Sequence, residues 1–165
     1  MSVEKRLSDM NELGPFIEES IRSGKKVKLT VTGDSMYPLL KSRMDTVVLD
    51  IPDTLGKYDI VFYKRDNGRY ILHRILMEKN GAFVIAGDNE TVKEYPVRKD
   101  QIIGKVTGFC RKEKTHNVNE IFYRIYAFLW VNMFSLRPVM LKTALKIHNY
   151  IHRKKAGKGK KGEQK

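Results

Sequence analysis

Residues 59–76 read DIVFYKRDNGRYILHRIL, and the fold turns on them. Two strand-like runs, Asp59–Lys64 and Tyr70–Leu76, flank Arg65-Asp66-Asn67-Gly68. Asn-Gly supplies the positive φ of a tight turn, so the stretch is a predicted β-hairpin. On its N-terminal side, Lys26–Thr32 alternates Val27, Leu29 and Val31 with polar residues and stops at Gly33, and Thr46–Asp50 is a further strand. On its C-terminal side, Ala82–Ala86 and Ile102–Phe109 follow, set apart by Gly, Asn, Asp and Pro. Short strands in succession without intervening helices predict a mostly-β core.

Helical signals lie at the two ends. Met10, Leu13, Ile17 and Ile21 recur at helical spacing behind Ser8 and Asp9, predicting a short amphipathic helix over 9–23 whose start Pro15 delays. From Val118 the spacing is helical again, through Ile121, Phe122, Ile125, Phe128, Leu129 and Trp130 to Ser135. Arg137-Pro138 breaks it, and a second helix from Pro138 to about His152 completes a predicted helical hairpin. The expected organisation is an N-terminal helix within 1–26, a β-rich domain over 27–110, a basic helical extension over 111–153 and a disordered Lys/Gly tail over 154–165.

The 165 residues suit one compact domain with an appendage. Net charge is +13, split as +2 over residues 1–110 and +11 over 111–165. A nearly neutral core with a basic extension assigns any polyanionic partner to the C-terminal third. The lone Cys110 excludes an intramolecular disulfide framework. No apolar export signal is legible in MSVEKRLSDMNELG, and no run approaches the 18 apolar residues of a spanning helix. The expected location is therefore the cytoplasmic face of a membrane, without a transmembrane helix.

Three residues carry candidate chemistry. Ser35 lies in Gly33-Asp34-Ser35-Met36-Tyr37-Pro38, where a strand runs into a turn; His73 lies in the second hairpin strand; Asp88 lies in Ala86-Gly87-Asp88-Asn89. A nucleophilic serine needs a base within hydrogen-bond reach, and a histidine base is commonly fixed by a carboxylate. Taken singly, each residue is more often a turn, core or capping residue. The four histidines have no chelating neighbours in the sequence, so neither a metal centre nor another cofactor is expected.

Together, Ser35-Met36-x-Pro38, His73-Arg74-Ile75 and Gly87-Asp88-Asn89, with Asp45, Val47 and Val48 after the serine, resemble the boxes of signal peptidases of the endoplasmic-reticulum and archaeal type. The resemblance covers roughly residues 27–108. It implies coiled antiparallel β-sheets, Ser35 as nucleophile, His73 as base, Asp88 as orienting acid, and Met36 and Pro38 near the substrate. The implied substrate is a leader or signal peptide bound as an added strand.

Three features depart from the family. An amphipathic helix stands where it usually has a membrane-spanning one, Lys57-Tyr58-Asp59 stands where relatives show Gly-Asp, and Gly33 leaves the oxyanion hole to backbone N–H groups. Self-cleaving phage and SOS-type repressors share the fold and a similar serine box. A repressor-type regulator and a catalytically silent peptide-binding module are the alternatives to a leader peptidase. Interface-preferring aromatics and the cationic stripe within 118–155 predict contact with an anionic membrane surface. Nucleic acid is not an expected partner, because the aromatics are not interleaved with the basic residues.

Overall fold

The computed structural model describes residues 10–143, which fall into two units divided between Asn132 and Met133. The first unit begins with helix α1 (Met10–Arg22). Strands β1 (Val27–Thr30), β2 (Thr46–Asp50), β3 (Ile60–Lys64), β4 (Tyr70–Lys79), β5 (Ala82–Ala86), β6 (Glu94–Val97), β7 (Ile102–Arg111) and β8 (Lys114–Asn117) follow, and helix α2 (Ile121–Asn132) ends the unit. Described residues of the second unit form a 3₁₀ turn at Phe134–Leu136 and helical backbone over 137–143. Most of the helix expected over 138–152, the 154–165 tail, and the capping Ser8 and Asp9 lie outside the described residues.

All eight strands join one antiparallel sheet in the order β1-β2-β7-β3-β4-β5-β6, with β8 paired to β7. The hairpin forms as expected: Lys64 faces Tyr70, Arg65 N donates to Arg69 O at 2.8 Å, and Gly68 takes φ +81°. Side chains alternate across a strand, so Ile60 and Phe62 enter one apolar cluster, with Ile17, Ile21, Leu49 and Val106, while Val61 and Tyr63 enter another, with Ile75, Phe83 and Ile85. The sheet is thus buried on both faces at β3, which is why β3 reads as an unbroken apolar run rather than an alternating one.

Helix α1 covers the first cluster with Ile17 and Ile21. It starts at Met10, ahead of Pro15, so the proline lies inside the helix instead of delaying it. Packing of the apolar stripe overrides local propensity here, as it commonly does. Gly14 is what allows the close approach: a Cβ there would sit 2.1 Å from the Tyr70 ring.

Two strands have no counterpart in the sequence reading. In β6, Glu94-Tyr95-Pro96-Val97 has a proline and only one buried residue, as a sheet edge permits. In β8, Lys114–Asn117 has no apolar residue and is ordered by pairing with the end of β7. The β-rich region therefore runs to Asn117 rather than stopping at 110.

Candidate active site

Ser35 sits in the turn after β1, half-buried, and two anchors hold that turn. Asp45, fully buried, accepts from the backbone N–H of Lys41 at 2.8 Å and from Arg111 Nε at 3.0 Å, and Arg111 also donates to the Leu39 carbonyl. On the other side, the Asn89 N–H donates to the Ser35 carbonyl at 2.7 Å. The serine loop is thereby tied both to β7 and to the loop after β5.

That second tie brings the backbone of Ser35 near the ring of His73. A Cβ built on Gly87 would lie 2.5 Å from the Ser35 carbonyl oxygen and 3.0 Å from His73 Nε2. Both atoms therefore converge on one point, and only a residue without a side chain fits between them. This explains the glycine of the Gly-Asp-Asn box.

His73 is 2% exposed, and its ring meets two carboxylates that the sequence reading did not single out. Glu94 Oε1 lies 3.1 Å from Nδ1, and Glu90 Oε1 lies 3.5 Å from Nε2. Tyr63 Oη stands 3.4 Å from Nδ1. Burial alone would depress the imidazole pKa, but hydrogen bonds and charge from Glu90 and Glu94 outweigh it and raise the pKa above its ordinary value. Burial works against the Glu94 carboxylate too, yet His73, Arg65 and Tyr63 hold its pKa down at about 2. Glu90 is also lowered, chiefly by its hydrogen bond to His73.

Asp88 lies elsewhere. Its carboxylate, fully buried, accepts Arg74 Nε at 2.9 Å, Arg74 Nη2 at 2.8 Å and Tyr126 Oη at 3.2 Å, and its carbonyl accepts Trp130 Nε1 at 3.0 Å. His73 and Arg74 are neighbours on β4 and so project to opposite faces. Asp88 meets the Arg74 face. The expectation that it orients His73 gives way to an anchoring role: the aspartate holds the Gly87–Asn89 loop and the inner face of α2. Glu90 and Glu94, exposed-looking in sequence, carried no signal beyond their spacing after the Gly-Asp-Asn box.

A cleft of about 160 Å³ is lined by Leu29–Gly33, Ser35, Met36, Phe62 and Tyr70–Leu72. Met36 lines it, whereas Pro38 sits in the turn outside that lining. A Cβ on Gly33 would have no neighbour within 4 Å, so nothing at that position supplies an oxyanion donor beyond the backbone.

His73, Glu90 and Glu94 present ligand atoms within 4.8 Å of one another, correcting the expectation that no histidine has chelating neighbours. The donor set is a poor fit to a metal. Arg65 Nε reaches Glu94 Oε2 at 2.8 Å and Arg65 Nη2 reaches Oε1 at 2.5 Å, so a guanidinium already occupies both oxygens.

The family model described as Peptidase S24-like matches residues 6–107. No curated protein matches the chain.

The convergence on Gly87 has a measurable consequence. Gly87→Ala must displace the Ser35 carbonyl or the His73 ring. We expect the His73 ring signals in NMR spectra of the variant to shift from those of the parent, with a cooperative thermal melt retained; unchanged signals would contradict the close approach.

Proposed function

The chain belongs to the Peptidase S24-like family, a family of serine-peptidase type, and on that footing we propose that it is a serine endopeptidase cleaving leader or signal peptides, with Ser35 as nucleophile and His73 as base. The observation that carries this reading is the meeting of the Ser35 backbone and His73 Nε2 at Gly87. His73 Nε2 accepts the Ser35 hydroxyl proton as the oxygen attacks the peptide carbonyl, and the imidazolium returns that proton to the departing amine. A water activated by the same nitrogen then hydrolyses the acyl-serine. The oxyanion is met by backbone N–H groups such as that of Ser35.

Strand edges support an extended substrate. β1 lies at one end of the sheet, and β5 pairs with β4 only from Arg74 onward. Residues from β1 and from Tyr70–Leu72 line the cleft beside Ser35, so a peptide laid there as an added strand finds main-chain partners and apolar walls.

α2 supports attachment to a membrane surface. Tyr123, Tyr126, Ala127, Trp130 and Val131 face inward, while Ile121, Phe122, Ile125, Phe128 and Leu129 form an exposed stripe, Phe122 being 83% exposed. An outer side this apolar, with Arg124 its one charged residue, requires cover. The net +11 of residues 111–165 matches that stripe to anionic lipid. Among the described residues no helix is long and apolar enough to cross a membrane, so the contact is interfacial.

Three experiments test these readings. Mass spectrometry of leader-peptide digests should show one internal cut made by the parent and abolished in Ser35→Ala, while the chain itself stays intact; equal cutting by Ser35→Ala would refute the assignment. Because the base is active only when neutral and its pKa is raised, kcat/KM should climb with pH along a limb centred above the ordinary imidazole value of about 6.5. For the membrane contact, co-sedimentation should occur with phosphatidylserine vesicles, fall at least about tenfold for Phe122→Ser/Leu129→Ser, and fall steeply with added salt. Binding indifferent to both changes would count against α2 as the seat.

A further inference from the structure

Resting on the peptidase reading above, we propose that Glu94, clamped by Arg65, is the carboxylate that positions His73 and fixes its tautomer. A histidine base needs its accepting nitrogen unprotonated and its other nitrogen hydrogen-bonded to a fixed acceptor. Nε2 is the nitrogen that meets the serine loop at Gly87, so the fixed acceptor belongs on Nδ1. Glu94 Oε1 is there, at 3.1 Å.

The clamp begins in the β3–β4 hairpin. Arg65 is held at the turn by its N–H bond to Arg69 O, and its guanidinium forks onto both Glu94 oxygens across from β6. Bidentate pairing of this kind fixes orientation as well as charge. Three elements thus converge: β3 contributes Tyr63, its hairpin Arg65, and β6 Glu94, all toward the ring carried by β4.

Among the described residues, three titratable side chains meet the ring. Glu94 and Tyr63 meet Nδ1, and Glu90 meets Nε2 from the loop between β5 and β6. In the neutral ring one nitrogen carries the proton, and the two carboxylates compete for it. The 3.1 Å contact outcompetes the 3.5 Å one, since hydrogen bonds weaken towards and beyond 3.5 Å. The neutral form therefore carries its proton on Nδ1, leaving the Nε2 lone pair for Ser35. Asp88, committed to Arg74 on the opposite face, takes no part.

Nitrogen-15 NMR of the histidine rings in the full-length chain tests this, with His73 signals assigned by their loss in His73→Ala. The parent should show the Nδ1–H tautomer at high pH, and Glu90→Gln should keep it. Glu94→Gln should shift the population towards Nε2–H and lower the His73 pKa by roughly 1 unit, as expected on losing a neighbouring opposite charge. An Nε2–H parent, or an unchanged tautomer in Glu94→Gln, overturns the proposal; the parent measurement stands even if a variant misfolds. These readouts do not depend on turnover, so a parent chain that cuts no peptide would sink the peptidase reading separately.

Discussion

The buried ion pair between Arg74 and Asp88 is the interaction on which the site depends. Both side chains are fully buried, and two charges removed from water cost several kcal/mol each unless their remaining valences are met. Here they are met: Arg74 also donates to the Tyr58 carbonyl and to Tyr123 Oη, and Tyr126 donates to Asp88. Breaking one partner of such a pair typically costs about 3–5 kcal/mol. The pair sits next to Gly87 in sequence and so ties down the loop that touches Ser35. The same pair seats the inner face of α2, whose Tyr123 and Tyr126 rings lie 5.6 and 5.7 Å from the guanidinium carbon.

Alternation along β4 divides the labour between two charged networks. On the Arg74 side, charges are buried and structural. On the His73 side, the charges are partly open: Glu90 and Glu94 side chains are 36% and 23% exposed. A histidine whose pKa is raised by two carboxylates keeps its proton to higher pH than a free imidazole, so its charge is set by the fold rather than by solvent alone. The outer stripe of α2 adds a second demand on the same architecture, since the helix that locks Asp88 also offers an apolar face to the surroundings.

Much of the fold was legible because its signals are local. Asn67-Gly68 marked the hairpin, the alternation of Val27, Leu29 and Val31 marked β1, and the spacing of Ile17 and Ile21 marked α1. β6 and β8 were not legible, because their order comes from partners and not from their own apolar content. Pro15 misled for the same reason: a burial stripe decided the helix. At the site, Ser35, His73 and Gly87 were readable from short boxes. The pairing of Asp88 was not, since chain order says nothing about which face of β4 a later loop will meet. Glu94 and Arg65, 29 residues apart, join only through the register of the sheet.

The central claim is that Ser35 forms a covalent acyl intermediate through His73. Acid-quenched incubation with a leader peptide, followed by peptide mapping, should find the N-terminal fragment esterified to Ser35, with no adduct in Ser35→Ala and a diminished one in His73→Ala. Cleavage by the parent with no adduct at any time point, or with an adduct on another residue, would contradict it.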